Sequence, residues 1–414
     1  MTEREPLVAL VGYQWGDSTS AELLHEELAM RGLTVLHDKC SFAVGTRLDS
    51  AMADAVARCD AYVPYLTPNS LYEGGEAGSA RPALDDEFIP ACRRRRLSAG
   101  AGERPPKPVI AVVTHGLGDP HTAAAERVRA ATGEDVGTLW SVAVDQADDE
   151  LTQVDAARVA DAVIDAVLPV SGDALGASVP ITVVSRGTGQ PPRFLTVDVT
   201  SSLGGRDRRP GEPVDWQRYL DAVRSLERAL SRWTESRVLD LVMKGHTTAA
   251  VAFGRVFNQA SGWHHVVESR SGPTELAVAG AHDHITVASE AYRRGGPLLI
   301  DVDLIGHQVA DLANESSRHL PPPAGRVHIV AGQELLGRDL TANEIGTAAA
   351  TAALEVRRMA AACRPDAIHL FVAAPAAFSV LLGHQLTALE AELVLYERGP
   401  DGYEAVLTVP STVP

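Results

Sequence analysis

Long apolar runs and cysteine are scarce in this 414-residue sequence, and each scarcity excludes a class of protein. No apolar run approaches the ~20 residues that a membrane-spanning helix requires. The four cysteines have neither zinc-ligand nor disulfide-framework spacing, which is typical of a reducing compartment. A formal net charge of −17 argues against a general DNA-binding protein. We therefore predict a cytoplasmic protein that acts without DNA or a membrane.

The common phosphate-binding motifs are also missing. No G-x-G-x-x-G follows the first apolar run, and no G-x-x-x-x-G-K-[ST] occurs in the sequence. These absences disfavour an ordinary dehydrogenase or a P-loop enzyme. The scattered histidines have no metal-ligand spacing, so we predict no metal site.

One stretch, 238–270, combines several signals of a binding loop in an α/β fold. It reads VLDLVMKGHTTAAVAFGRVFNQASGWHHVVESR, which predicts a strand over 238–243, a tight polar loop, a helix over 248–257 and a second strand. Such a loop binds phosphate readily, because the backbone N–H groups and the dipole of the following helix favour an anion. A capped turn with no ligand is the alternative, at even odds for any single residue.

The same pattern recurs at 367–397, AIHLFVAAPAAFSVLLGHQLTALEAELVLYE. Gly254 matches Gly383 and Val251 matches Val380 at one constant offset. The second copy has Ala373-Ala374-Pro375 in place of the polar loop. The repeat is therefore structural, and the sequence predicts one ligand site on a pseudo-symmetric scaffold.

The remaining patterns predict an α/β protein with two domains. Five apolar runs alternate with helix patterns up to residue 168, which predicts a flavodoxin-like five-stranded parallel sheet covered on both faces. Residues 169–180 form a small-residue linker. Residues 181–414 form the second domain, with halves at about 181–295 and 296–414. Inside it we expect a hairpin between 276–279 and 285–288.

An acidic cluster lies in the helix pattern after the third strand. Leu84 and Phe88 belong to an apolar stripe, and Glu87 falls beside it, whereas Asp85 and Asp86 turn toward solvent. A carboxylate at such a border can hold ribose hydroxyls and stabilise an oxocarbenium-like transition state. The alternative, about two in three on pattern alone, is that these acids only favour the amino end of the helix.

The first domain resembles a TIR domain. The features are the first strand with Tyr13 after it, Asp38 after the second strand, the loop SFAVG at 41–45 and the polar exit of strand three at Thr67. TIR domains of bacterial defence proteins cleave NAD at the nicotinamide–ribose bond with a glutamate of the third helix, and the resemblance places that role on Glu87.

In the family a short segment precedes that glutamate, whereas residues 72–83 take its place in this sequence. Glu76 therefore remains a rival for the catalytic role. The resemblance implies that NAD is the substrate and that no separate cofactor is needed. The substrate-binding residues that it implies are Gly12, Tyr13, Asp38, Lys39, Phe42, Gly45 and Arg47.

Residues 180–414 resemble a SAVED domain, which consists of two fused CARF-like (Rossmann-like) halves. The repeat, the KGHTTAAVAFG turn and WHHVVESR carry this resemblance. The whole chain is similar to TIR–SAVED effectors of cyclic-oligonucleotide-based anti-phage signalling systems (CBASS). In that family the signal is usually cyclic tri-AMP, and its binding stacks protomers into NAD-cleaving filaments.

A cyclic trinucleotide needs hydrogen-bond donors, cations and a flat surface for its bases. Trp263 and His265 fit the core better than a base platform. The residues that we predict to bind the cyclic nucleotide follow strands or lie in adjacent loops: Ser201, Ser202, Arg206, Lys244, Gly245, His246, Thr247, Gly332, Gln333 and Pro375.

Two alternatives to a ligand-activated NAD glycohydrolase remain. The protein can be a sensor whose TIR domain is only a scaffold for assembly. It can also be an enzyme of the same α/β fold that transfers a nucleoside.

Overall fold

The first sheet is built from short apolar segments, and its central strands, Ala61–Leu66 and Ile110–Thr114, are buried along their whole length. Its strands are β1 (Val8–Gly12), β2 (Thr34–Leu36), β3 (Ala61–Leu66), β4 (Ile110–Thr114) and β5 (Trp140–Val144). They lie in the order β2-β1-β3-β4-β5, and every neighbouring pair is parallel. This is the flavodoxin-like order, which places the carboxyl ends of all five strands along one edge of the sheet. The predicted fold class is confirmed.

The computed structural model describes residues 5–13, 15–37, 48–67, 91, 107–114, 140–144, 146–147, 150–171, 176–187, 192–203, 215–277, 285–335, 338–387, 389–399 and 402–411.

Three helices accompany the first sheet in these residues: α1 (Ser18–Met30), α2 (Leu48–Arg58) and α3 (Gln153–Ser171). A 3₁₀ turn, Trp15–Asp17, precedes α1, and β6 (Gln146–Ala147) pairs with β7 (Glu150–Leu151). Helix α3 continues through Pro169, although the sequence predicted its end near residue 167. Of the helix that the sequence predicts from near residue 82, the structure describes only Ala91, which is helical, and the helix predicted over 121–132 lies outside the described residues.

The second sheet contains the first copy of the repeat. Its order is β12-β11-β10-β8-β9, with β8, β10 and β11 parallel and β12 antiparallel at the edge. A 3₁₀ turn, Gln259–Ser261, precedes β11. The elements are β8 (Val179–Val184), β9 (Leu195–Asp198), α4 (Trp216–Trp233), β10 (Val238–Lys244), α5 (Thr247–Val256), β11 (His264–Ser269) and β12 (Gly272–Thr274).

The third sheet contains the second copy. Its order is β13-β15-β14-β16-β17-β18, in which the four inner strands are parallel and the two edge strands antiparallel. A 3₁₀ turn, Gln333–Leu335, follows β15. The elements are β13 (Ile285–Ala291), β14 (Pro297–Asp303), α6 (Val309–Ser316), β15 (Gly325–Ala331), α7 (Ala342–Cys363), β16 (Ala367–Ala373), α8 (Ala376–Gln385), β17 (Glu392–Gly399) and β18 (Gly402–Val409).

The hairpin predicted between 276–279 and 285–288 is wrong. Strand β13 pairs instead with β15, from Ile285 opposite Ala331 to Ala291 opposite Gly325. The prediction joined two segments because they are close in sequence, whereas the actual partner lies some forty residues away. Strand β13 therefore belongs to the third sheet, although the predicted boundary near residue 295 placed it in the first half.

The two repeat copies contact each other through helices α5 and α8, and the contact is reciprocal. A Cβ atom on Gly254 would overlap the carbonyl oxygen of Val380, and a Cβ atom on Gly383 would overlap that of Val251. The constant sequence offset equates Gly254 with Gly383 and Val251 with Val380, so it converts one of these contacts into the other. Exchange of partners between equivalent positions is what a two-fold axis produces. The predicted pseudo-symmetry is thus present in the fold.

The chain divides into two compact units. The first comprises Met1–Gly176, Gln190–Val199 and Arg228–Glu235, and the second comprises the remainder. Two short segments from beyond the predicted linker thus group with the first unit. The domain boundaries at 168 and 180 stay a prediction.

No helix in the described ranges is both long and apolar enough to cross a membrane.

Candidate functional site

The carboxyl ends of β1 and β3 form the described part of the first candidate site. Gly12 ends β1, and the following Tyr13 is buried with its ring centroid 6.4 Å from that of His37. The Tyr13 ring therefore packs within its own unit. At the end of β3, the hydroxyl of Thr67 donates a hydrogen bond to the Asp17 carboxylate at 2.7 Å.

The Asp17–Thr67 hydrogen bond is buried and joins the turn after β1 to the exit of β3. The sequence predicts Ser18, Thr19 or Ser20 as the N-cap of this helix and does not single out Asp17. In the structure Asp17 is the N-cap of α1, and its carboxylate binds Thr67 instead of capping the helix. An acid five residues after the end of β1, followed by a run of cap residues, was the available signal.

The other predicted residues of the NAD site lie outside the described residues. These are the catalytic candidate Glu87, its rival Glu76, and Asp38, Lys39, Phe42, Gly45 and Arg47. Their roles stay predictions.

The second candidate site begins where β10 ends. Lys244 is the last residue of β10, one residue later than predicted, and its exposed side chain makes no hydrogen bond or ion pair with any described residue. Gly245 follows with a φ of +121°, a conformation that favours glycine. A Cβ atom there would overlap the Ser185 hydroxyl and lie 2.7 Å from the backbone nitrogen of Arg186. The loop can therefore pass so close to the end of β8 only with glycine at this position.

His246 locks the loop to the end of β8. Its backbone N–H donates to the Ser185 hydroxyl at 2.8 Å, and Ser185 in turn donates to the Lys244 carbonyl at 3.2 Å. The imidazole Nε2 lies 2.8 Å from Nε of Arg186. Because that guanidinium nitrogen can only donate, Nε2 of His246 is the acceptor. The ring proton of the neutral imidazole is therefore assigned to Nδ1, which lies 3.2 Å from the Ser185 hydroxyl.

Arg186 is a functional candidate that the sequence did not reveal. It lies two residues beyond Val184, which is paired with Lys244 across the parallel strands. Its guanidinium is half exposed, so two cations occupy neighbouring strand ends at the mouth of this loop. No motif marks an arginine in the segment SRG, which is why only the fold identifies it.

The start of α5 contacts the second repeat copy. The Thr247 hydroxyl donates to the Val372 carbonyl at 3.3 Å, and the Thr248 hydroxyl donates to the Tyr396 carbonyl at 3.2 Å. The backbone N–H of Thr248 points to the Glu397 carboxylate at 3.4 Å. The polar loop of one copy thus meets the carboxyl ends of β16 and β17 in the other. His246, in extended backbone, is the N-cap of α5, where Thr247 or Thr248 was expected.

Glu397 is the acidic member of this cluster. Burial raises the pKa of its carboxyl group above the usual value, while the Thr248 hydrogen bonds and Arg186 oppose that shift. An Arg186 nitrogen lies 3.9 Å from the carboxylate. Nearby, the Asp303 carboxylate accepts hydrogen bonds from the backbone N–H groups of the loop before α6, those of Ile305, Gly306, His307 and Val309. The first copy therefore supplies cations, and the second supplies carboxylates.

The other predicted sensor residues lie further along the same sheet edges. Ser201 and Ser202 follow β9, which β8 separates from β10, and Gly332 and Gln333 follow β15, which β14 separates from β16. At about 5 Å per strand, each pair lies roughly 10 Å from the central loops, within the reach of one nucleotide. Pro375 is the N-cap of α8. Arg206 lies outside the described residues.

Trp263 and His265 are core residues, as predicted. Trp263 is fully buried, and its indole N–H donates to Glu227 at 3.0 Å. Nε2 of His265 lies 2.6 Å from the Phe257 carbonyl, and burial lowers the pKa of His265 to about 3. Neither ring is available for stacking on a base.

Two family models match the chain over the two units. The model of the "SMODS-associated and fused to various effectors sensor domain" (SAVED) matches residues 219–409, and the TIR-domain model matches residues 10–133. The chain joins a TIR domain to a SAVED domain. The polar loop at Lys244 and the ends of β16 and β17 lie within the residues that the SAVED model matches, whereas Ser185 and Arg186 at the end of β8 precede them. Asp17 and Thr67 lie within the residues that the TIR model matches.

Solved structures similar to the chain include SAVED/CARF-domain receptors. The Cap4 receptor of Acinetobacter baumannii with the cyclic trinucleotide 3'3'3'-cAAA is 13% identical, with 95% of this chain and 98% of that chain covered and a TM-score of 0.46. The same receptor with 2'3'3'-cAAA is also 13% identical, with 96% of this chain and 98% of that chain covered and a TM-score of 0.48. The Cap4 receptor of Moraxella osloensis is 14% identical, with 95% of this chain and 98% of that chain covered and a TM-score of 0.43. No curated protein matches the chain.

Proposed function

We propose that the chain is a cytoplasmic effector of cyclic-oligonucleotide anti-phage signalling. Its SAVED domain binds a cyclic oligoadenylate, with cyclic tri-AMP as the first candidate. Its TIR domain then hydrolyses NAD to nicotinamide and ADP-ribose, with NAD as substrate and no separate cofactor. The pairing of a TIR domain with a sensor domain supports this division of labour.

One observation carries the binding half of this proposal: the pair of cations at the mouth of the polar loop. Lys244 and Arg186 stand at adjacent parallel strand ends, and the amino end of α5 begins three residues after Lys244. A phosphate diester is recognised by such a set, because the cations and the helix dipole both favour a negative charge. The second copy has only Ala373-Ala374-Pro375 at the equivalent place, so the site has one cationic side.

The decisive experiment mixes the full chain with NAD in the presence and absence of cyclic tri-AMP and measures nicotinamide release. Release that requires cyclic tri-AMP supports the proposal. Binding of cyclic tri-AMP without any release identifies a scaffold with a sensor function. Transfer of ADP-ribose to an added nucleophile in place of hydrolysis identifies a nucleoside-transferring enzyme.

Lys244→Ala is expected to need tens of times more cyclic tri-AMP for activation. Loss of one charge-assisted phosphate contact costs about 1.5–3 kcal/mol. Isothermal titration calorimetry measures the affinity directly, and the melting temperature without ligand should not change, because the side chain of Lys244 makes no hydrogen bond or ion pair with any described residue. Arg318→Ala removes another exposed cation of the SAVED domain and serves as the control. An unchanged affinity of Lys244→Ala would mean that the loop faces away from the ligand.

Activity is further expected to depend on assembly of several chains. The sequence predicts a loop at 41–45 with Phe42 and Val44 at an apolar tip, which would suit packing against a neighbour; these residues lie outside the described ranges. The alternative, at about two in five, is that Phe42 folds into its own core.

With saturating cyclic tri-AMP, activity per chain should rise steeply with protein concentration, and light scattering should detect larger particles. Phe42→Asp should remove both effects while binding of the signal persists. A monomer with full activity would contradict this expectation.

A further inference from the structure

Arg186 has two partners, and they belong to different copies of the repeat. Its Nε donates to His246 in the loop of the first copy, and its terminal nitrogen faces Glu397 on β17 of the second copy. It makes no other hydrogen bond or ion pair with the part of the chain that the structure describes. Arg186 is thus the cation through which the polar loop and the acidic strand end are linked.

The two contacts of Arg186 differ in quality. The bond to His246 at 2.8 Å has ordinary hydrogen-bond length, whereas the 3.9 Å separation from Glu397 is too long for a hydrogen bond and leaves only a charge attraction. A phosphate oxygen that accepts directly from the guanidinium would form a shorter and stronger contact. The position facing Glu397 is therefore the one that an anionic ligand can take over.

The surroundings of Glu397 also set it apart from Asp303. The Asp303 carboxylate is saturated by four backbone N–H groups of its own loop, so its charge is held in place. The partners of Glu397 among the described residues are Thr248, whose backbone N–H lies 3.4 Å away, and Arg186, and its side chain is largely buried. Its negative charge lies beside the cation that a phosphate would use.

We propose that Glu397 competes with the phosphate of the cyclic nucleotide for Arg186, so that this carboxylate sets the signal concentration at which the sensor responds. Without ligand, the Arg186–Glu397 pair links the polar loop of the first copy to β17 of the second. With ligand bound, the phosphate replaces Glu397 as the partner of Arg186, and this link between the copies is released. The inference rests on the proposed function, since it takes a phosphate diester as the ligand.

Calorimetric titration of the full chain with cyclic tri-AMP tests the proposal. Glu397→Gln keeps the size and the hydrogen-bond acceptor but removes the competing charge, so the dissociation constant should fall by roughly 3–10-fold. Glu392→Gln makes the same charge change at the exposed start of the same strand and should leave the dissociation constant unchanged. Thermal unfolding of both variants checks that they are folded.

A double variant decides whether the effect passes through Arg186. In the Arg186→Gln background, binding is weaker and Glu397→Gln should no longer tighten it. Equal affinities of wild type and Glu397→Gln, or weaker binding by Glu397→Gln, would overturn the inference while leaving the proposed function intact. A persistent gain in the Arg186→Gln background would also overturn it. If the wild type does not bind cyclic tri-AMP, the proposed function itself fails.

Discussion

Glu87→Gln is expected to lower NAD cleavage by roughly 10²–10³-fold at saturating cyclic tri-AMP. A carboxylate beside the breaking nicotinamide–ribose bond stabilises the positive charge that develops on the ribose, and the amide of glutamine has the same shape without that charge. Nicotinamide release measures the loss. Binding of cyclic tri-AMP and the melting temperature should stay at wild-type values, because Glu87 is predicted at the border of the apolar stripe and not inside it.

Two further substitutions make this expectation specific. Asp86→Asn changes the neighbouring charge, which the helix pattern turns toward solvent, and should leave the cleavage rate near the wild-type value. Glu76→Gln tests the rival carboxylate. Full turnover by Glu87→Gln combined with loss of turnover by Glu76→Gln would move the catalytic role to residue 76.

Gly254→Ala is expected to destabilise the SAVED domain even though alanine is the better helix former. The substitution favours an isolated helix by about 1 kcal/mol. Against this gain, the new methyl group would overlap the Val380 carbonyl oxygen, which belongs to the backbone and cannot rotate away. Overpacking of this kind costs about 1–3 kcal/mol and often more where backbone must move. A net loss of about 2 kcal/mol would lower the unfolding temperature of the domain by roughly 4–8 °C.

Differential scanning calorimetry of the full chain measures this shift. Gly383→Ala should have a similar effect through the Val251 carbonyl, and the double variant should lose less than the sum, because both changes separate the same two helices. Gly16→Ala is the control, since nothing lies within 4 Å of its new methyl group. A higher melting temperature for Gly254→Ala would mean that helix propensity outweighs the contact.

Local patterns in the sequence predicted most of the secondary structure. The apolar run at 61–66 and the amphipathic pattern at 216–233 predict the bounds that β3 and α4 have in the structure. An apolar run or an amphipathic period is sufficient to specify such an element. The constant offset between the repeat copies predicted the equivalence of Gly254 and Gly383, and their reciprocal contact confirms it. The pairing of β13 with β15 was missed because a strand sequence does not specify its partner.

The candidate site was predicted only where it lies on one continuous segment. Lys244 and His246 follow a strand, so their position was predictable from the sequence. Arg186 and Glu397 were not, because 211 residues separate them and neither lies in a motif. The close approach of Gly245 to Ser185 is likewise a property of two strand ends in space. Sequence patterns thus predict which loops are polar, and the fold determines which of them meet.

The reciprocal helix contact also bears on the direction in which chains can assemble. Two identical chains that met through this contact would have the same residues at both strand ends. Because the copies are joined in one chain, they can differ at these strand ends: Lys244 of the first copy corresponds to Ala373 of the second. A ligand that binds between the copies would have the cations Lys244 and Arg186 of the first copy on one side and the Glu397 carboxylate of the second copy on the other, so each chain would have a distinguishable front and back. Chains with a distinguishable front and back associate head to tail. The resulting assembly has a defined polarity, and it stays open at both ends unless the rotation between successive chains closes a ring.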